Sequence, residues 1–434
     1  MNFSQSAIFS IIASLGLLLI NLFIGIIEAR VLGPEEIGRF QVYITTQTYI
    51  ATIFALGIGQ SCIYFINALK INERRVLSTS INSSLLLAVF AGLVTFIIIL
   101  SNQDYFGYDS MASICAFSIG TTATLINNIF TPVLLTKMEV VRNQVVKYSA
   151  RIITLIILIL VLFGNYHLSV GFLIGLTGFT SLLSSFLLFF YFHRRFSFRD
   201  KIDVPLLGRI TSYGLKLSGN NIASITLSSL PVYFLTWFST SDGMTNVGYY
   251  GRANTLLVIG TIISSSIGPL LYSKWSGTEA DKLKNEVRRI SMMYFTTNII
   301  LALALILAAP ILIKILYGPD YSYAIRILQV LALSLVANGI KEICYGVLSS
   351  QGFPLRILKN LVWGIIICAL GNFWMIPNYG GVGCAWVTSV VSFITAFMLM
   401  IDVTRVSKIN LIDFFIIPSR DELMYIIKQV FRKA

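Results

Sequence analysis

Ile299-Ile300-Leu301-Ala302-Leu303-Ala304-Leu305-Ile306-Leu307-Ala308-Ala309-Pro310-Ile311-Leu312-Ile313 runs for fifteen residues without a charge or a polar side chain. With the uncharged residues before it, the stretch spans 291–313, which as a helix is about 35 Å long at 1.5 Å per residue. A hydrocarbon core of about 30 Å needs roughly twenty such residues. A barrel strand would instead show about ten residues of alternating polarity. Eleven more stretches of this kind fill the 434-residue chain, at 8–27, 40–66, 80–100, 111–135, 147–163, 170–192, 213–238, 247–272, 323–349, 358–376 and 382–401. Charged residues are only 12% of the composition, and the mean hydropathy is +0.81. The pattern predicts an all-α integral membrane protein of twelve transmembrane helices.

The basic residues orient it. Of the 32 Lys and Arg, 24 fall in the even-numbered breaks, at the span edges that adjoin them (Lys147 and Lys359) and in the C-terminal tail, while the odd-numbered breaks hold only Arg30, Arg39 and Lys314. Positive breaks stay in the cytoplasm, so both termini and the break at 193–212 are expected inside, with 101–110 and 239–246 outside. The net charge of +13 is then a topology signal that calls for no nucleic-acid partner; anionic headgroups of membrane lipids are its natural counterpart. No Lys or Arg precedes the first span and no small-residue cleavage site follows it, so it reads as a retained helix. Cys62, Cys115, Cys344, Cys368 and Cys384 lie in apolar segments without paired spacing and read as small core residues. There is no Walker sequence, metal-ligand cluster or His-containing triad.

The longest cytoplasmic break separates six spans from six, which predicts an N-terminal lobe at 1–200, a C-terminal lobe at 201–410 and a cytoplasmic amphipathic tail at 411–434. Because six is even, a repeat relating the halves would be parallel. Ile37-Gly38 opens the second span as Val247-Gly248 opens the eighth; Val170-Gly171 opens the sixth as Val382-Gly383 opens the twelfth. Locally, each glycine admits a close neighbour. Their matched placement suggests duplication.

Polar side chains facing lipid are costly, so they should face a bundle interior or a cavity. Three stripes have helical spacing: Gln41, Thr45, Thr48 and Thr52; Thr121, Thr124, Asn128 and Thr131; Ser334, Asn338, Lys341 and Tyr345. Each is read either as hydrogen-bonding between helices or as the wall of a wet path. Beyond Lys147 and Lys359 at the span edges, five bases lie within spans. Arg252 and Lys341 are the deepest, whereas Arg151, Lys216 and Arg326 lie nearer an end, within reach of the interface by snorkelling. Only Glu342 among the 19 acids is well inside a span, with Glu28 at a margin near Arg30. A mainly positive interior suits an anionic cargo such as a phosphate or an acidic sugar. The candidate substrate-binding set is Arg30, Arg252, Lys341, Lys216, Arg151 and Asn338.

Arg30-Val31-Leu32-Gly33-Pro34-Glu35-Glu36-Ile37-Gly38-Arg39-Phe40 closely resembles the corresponding segment of the Wzx-type polysaccharide flippases, relatives of the multidrug extruders and peptidoglycan lipid flippases. Val247-Gly248-Tyr249-Tyr250-Gly251-Arg252-Ala253, Leu316-Tyr317-Gly318-Pro319-Asp320-Tyr321 and Ile376-Pro377-Asn378-Tyr379-Gly380-Gly381-Val382-Gly383 resemble three further segments of that family. The resemblance spans essentially the whole chain. It implies two six-helix bundles around a central cavity with alternating access. The implied cargo is an oligosaccharide repeat unit on undecaprenyl pyrophosphate, for O-antigen, lipopolysaccharide, capsule or exopolysaccharide assembly at a bacterial inner membrane. It further implies a polysaccharide polymerase and a chain-length regulator as partners, a cationic role for Arg30, Arg252 and Lys341, no enzymatic activity, and no cofactor beyond H+ or Na+ coupling. The acidic cluster of the drug extruders is missing here. A multidrug exporter of the same fold is the rival reading, and would want acids in the membrane. A membrane-embedded polymerase or glycosyltransferase is the second, and would want a large outer loop.

Overall fold

Apolar runs too long for one crossing dominate both ends of the chain, and the backbone resolves how they are used. The computed structural model describes residues 3–67, 69–106, 110–135, 140–164, 168–192, 202–239, 242–275, 280–407 and 409–414. Its helices, in order, are α1 (Phe3–Phe54), α2 (Ile58–Asn67), α3 (Glu73–Ser101), α4 (Gln103–Phe106), α5 (Met111–Leu135), α6 (Val140–Phe163) and α7 (Val170–Phe192). They continue with α8 (Val204–Phe238), α9 (Gly243–Trp275), α10 (Ala280–Leu316), α11 (Ala324–Ala332), α12 (Ser334–Ser350) and α13 (Pro354–Val406). Among the described residues eight helical stretches are long and apolar enough to cross a membrane, and two of them, Leu15–Asn67 and Pro354–Val406, are 53 residues each. At 1.5 Å per residue such a length is about 80 Å, enough for two crossings. With α8 (35 residues) and α9 (33 residues), each also long enough to cross, the protein is an all-α, multi-pass membrane protein of twelve transmembrane helices.

Two turns expected from hydropathy are not loops. Residues 28–39 remain helical except at Gly33 (φ 74°, ψ 173°), with Pro34 next, and the break at 377–381 is a second hinge at Gly380 (φ 53°, ψ −134°), with Pro377 just before. Both conformations lie where essentially only glycine is stable. The charges at 28–39 that ended the apolar run therefore sit in helical turns on either side of the Gly33 hinge. Conversely, the second span, expected to be continuous, is broken at Ala55-Leu56-Gly57, with Leu56 at φ 49° and Gly57 at φ 66°, whereas the tenth stays helical in its backbone through Leu333 (φ −59°, ψ −33°) between α11 and α12.

Several helices also start earlier than their apolar windows, because helicity continues into polar residues when the first turn is capped. The Asn72 side chain accepts from the N–H groups of Arg74 (3.0 Å) and Arg75 (3.4 Å) at the start of α3. Asp203 accepts from the Leu206 N–H (3.1 Å) at the start of α8, and from Arg75 Nε at 2.7 Å. That one carboxylate therefore caps α8 and ties it to α3. The Leu206 N–H, then the Arg75 guanidinium, hold it below the usual carboxylate range.

The fold divides into two compact units, residues 1–237 with 241–251, and 238–240 with 252–434. In the first unit α5 is central, packed on α1, α2, α3, α6 and α7. Interhelical hydrogen bonds join it to its neighbours: Thr122 Oγ1 to the Ala88 carbonyl (3.1 Å), Asn127 Nδ2 to the Ser181 carbonyl (3.3 Å) and Ser185 Oγ to the Ala123 carbonyl (3.0 Å). In lipid such bonds contribute about 0.6 kcal/mol each on average. The second unit is built on α12 against α10 and α13, with Ser389 Oγ donating to the Val330 carbonyl at 2.8 Å. The tail expected over 411–434 begins with a 3-10 turn at Leu411–Phe414; the rest lies outside the described residues, as do His167 and His193.

Candidate functional site

The break in the second span borders a polar-walled space. A helix interrupted mid-membrane leaves backbone groups without partners, a state tolerated only against protein or water. Here Gly214 of α8 closes on one side: a Cβ on Gly57 would lie 2.8 Å from the Gly214 carbonyl carbon, so positive φ and close approach both require glycine at 57. On the other side lies a cavity of about 480 Å³. Thr52 of α1, Gln60 of α2 and Asn128 of α5 supply one part of its wall. Ser218, Asn221, Ser224 and Ser228, one stripe of α8, supply another. No charged side chain lines it among the described residues.

The two N-terminal stripes are thereby divided by role. Gln47, one position from the first stripe, donates from Nε2 to Thr124 Oγ1 at 3.0 Å, and Gln41 donates to Thr45 at 3.4 Å; these are structural bonds. Thr52, the last residue of the first stripe, and Asn128, the third of the second, converge on the cavity. The α8 stripe was not singled out from the sequence. Its spacing of 3, 3 and 4 residues was available, but serines flanked by apolar residues carry little hydropathy signal.

The basic candidates do not form one constellation. Arg30 is exposed in α1, three residues before the hinge. Arg151 is exposed on α6 and interacts electrostatically with Glu28 of α1, itself buried. Lys216 is exposed on α8, two residues from cavity-lining Ser218. In the second unit, Arg252 is buried with its guanidinium carbon 5.9 Å from the ring centre of buried Tyr317, whose ring lies tilted by 51° against that of Tyr321 at 5.7 Å. Lys341 of α12 is half-buried and its Nζ lies 3.5 Å from Ser392 Oγ of α13; Asn338 is one turn earlier on the same helix. Glu342 interacts electrostatically with Lys341, but no ion pair of Lys341 is present among the described residues. The cysteines are all free; Cys115 is exposed on α5, against the core placement expected of it, and the other four are buried. Among the described residues no group of three His, Cys, Asp or Glu is placed to hold a metal.

Comparison with known proteins bears on this arrangement. A family model described as polysaccharide biosynthesis protein matches residues 3–272. The uncharacterized membrane protein MJ1068 of Methanocaldococcus jannaschii is 23% identical over 202 residues, 45% of this chain and 39% of its own length. The chain thus spans about two fifths of that relative. Among solved structures, the lipid II flippase MurJ in an inward closed conformation superposes with a TM-score of 0.75 at 16% identity, over 94% of this chain and 89% of that one. The inward-facing conformation of a multidrug resistance MATE family transporter of the MOP superfamily gives a TM-score of 0.66 at 15% identity, over 90% and 94%. At such identities the likeness establishes the fold that this chain shares with transporters.

Proposed function

The chain belongs to the polysaccharide biosynthesis protein family, and from that premise we propose that it is a flippase. Its cargo is an oligosaccharide repeat unit on undecaprenyl pyrophosphate. It carries this unit from the cytoplasmic to the outer leaflet of a bacterial inner membrane by alternating access, with both termini in the cytoplasm. The two sequence halves, 1–200 and 201–410, are the lobes that move, and no chemical bond is made or broken. The polymerase and chain-length regulator act on the delivered glycan.

The observation that supports this reading most is Lys341. An ammonium group well inside an apolar span costs about 2.5–3.5 kcal/mol on insertion scales. Its described neighbours are a serine hydroxyl at 3.5 Å and the adjacent Glu342 on its own helix, which points about 100° away. A pyrophosphate or an acidic sugar offsets that cost by pairing with it. Arg252 serves the same end on its tyrosine ring, with Asn338 a neutral donor beside Lys341; Arg30, Arg151 and Lys216, on exposed helix surfaces, act on the approach of the anion. Coupling to H+ or Na+ has few carboxylates to use, Glu28 and Glu342 being those in the spans.

The test is a lipid extract from a strain lacking this chain. Accumulation of an undecaprenyl pyrophosphate-linked repeat unit, with loss of one surface polysaccharide and unchanged drug resistance, is the expected result. An unchanged lipid profile with heightened sensitivity to cationic drugs would replace the flippase by an exporter.

A further inference from the structure

The cavity of the first unit has no role in the cationic chemistry just described, and its walls are specific. Gln60, Asn128 and Asn221 present three carboxamides, and the structure records no hydrogen bond from any of them to another described residue. Their immediate neighbour Asn127 behaves differently. It bonds the Ser181 carbonyl and Ser185, so carboxamides on α5 that serve as glue do find partners. At Gly57 and Gly59 the backbone itself forms the wall. A volume of about 480 Å³ falls within the 300–1,000 Å³ of small-molecule sites.

We infer that this cavity is a subsite for an uncharged sugar of the cargo, separate from the basic side chains that take its phosphate; this rests on the flippase reading above. A carboxamide offers an acceptor oxygen and a two-proton donor side by side, and each sugar hydroxyl is both a donor and an acceptor. Three carboxamides and the hydroxyls of the α8 stripe therefore match a run of ring hydroxyls. Other ligand classes fit poorly. A phosphate or uronate would be desolvated here with no cation in the wall. A cationic drug would find neither a carboxylate nor an aromatic face. Empty of cargo, the polar wall is wetted by water, and a sugar that replaces this water hydroxyl for hydroxyl loses little. A cargo lacking those hydroxyls leaves the amides unpaired, which is how such sites discriminate.

The test uses the full chain in membranes. Ser224→Cys and, separately, Ser228→Cys are placed in a Cys115→Ser background, and alkylation by N-ethylmaleimide is timed. Membranes that contain the carrier-linked glycan are compared with membranes from cells blocked at the first sugar transfer. The inference expects labelling at one or both positions to slow at least fivefold when the glycan is present. Equal rates at both positions overturn it. In parallel, the double variant Asn128→Leu/Asn221→Leu should lower surface polysaccharide by about tenfold or more at equal protein level, and normal transport by it also overturns the subsite. If that variant does not accumulate, the labelling rates decide. A failure of the flippase reading looks different, since the deletion strain then builds up no carrier-linked glycan. If the glycan does build up but labelling is unprotected, only the subsite falls.

Discussion

Where α1 crosses the start of α9, two backbones touch through matched glycines, and adding one carbon to either should force them apart. A Cβ on Gly38 would stand 2.6 Å from the carbonyl carbon of Met244 and 3.1 Å from the Gly248 nitrogen; one on Gly248 would stand 2.8 Å from the carbonyl carbon of Pro34. Carbon atoms pack at about 3.5–4.0 Å, so the helices must separate by at least about 1 Å. The obstructing atoms are backbone, which cannot rotate away as a side chain would. Overpacking costs about 1–3 kcal/mol, and each of Gly38→Ala and Gly248→Ala should lie in the upper part of that range. The two costs should not add. Once one methyl has spread the crossing, the second occupies space already opened, so the double variant should fall short of the two single losses together by about 1 kcal/mol or more. Thermal unfolding of the detergent-purified chain measures all three. Gly175→Ala is the control, for nothing lies within 4 Å of a Cβ there. If Gly38→Ala is as stable as that control, or if the two losses add, the crossing is not as close as described and the argument fails.

Other outcomes follow from features already placed. Gly57→Ala combines φ 66° with a methyl 2.8 Å from the Gly214 carbonyl carbon, and should lower stability by about 2 kcal/mol or more in the same unfolding assay; wild-type stability would mean the second span is not broken there. Asp203 has a lowered folded pKa, so its contribution is present above the unfolded carboxylate value of about 4 and disappears as pH falls through the folded value. Asp203→Asn should therefore flatten the acid limb of stability against pH, and an unchanged limb would show that the Arg75 tie does not hold α8. Lys341→Glu should abolish surface polysaccharide while the protein still inserts, with Lys341→Arg partly active. Normal transport by Lys341→Gln at equal protein level would remove the cation from cargo binding.

Hydropathy made the number of spans legible, because a bilayer selects for apolar length directly. It misplaced boundaries wherever helicity and lipid exposure part company. Arg30, Glu35 and Glu36 end the apolar run while remaining in helical turns, the helix breaking at Gly33 between them, whereas Ala55-Leu56-Gly57 interrupt the helix inside an apolar run. The pairing of Gly38 with Gly248 was half visible: their matched positions suggested close approach, but not that each is the other's neighbour. Of the polar residues, charge drew attention to Arg252 and Lys341. The α8 stripe of Ser218, Asn221, Ser224 and Ser228 shows its meaning only when Thr52 and Asn128 arrive opposite, a tertiary fact that spacing along one helix does not contain.

The hinges at Gly33 and Gly380 also bear on how the chain is made. A pair of spans joined by one residue has no loop to thread, so each pair should enter the bilayer as a ready hairpin. Near the first hinge Arg30 and Arg39 offset all but one of the charges on Glu28, Glu35 and Glu36, and Arg39 already holds Glu35 at 3.0 Å one turn away. In the proposed orientation, a tip of so small a net charge meets little electrostatic resistance from the membrane potential. The same tightness leaves an epitope tag, a glycan acceptor or a protease site no room at either hinge, so a reporter spliced into 31–36 should cost the hairpin its insertion.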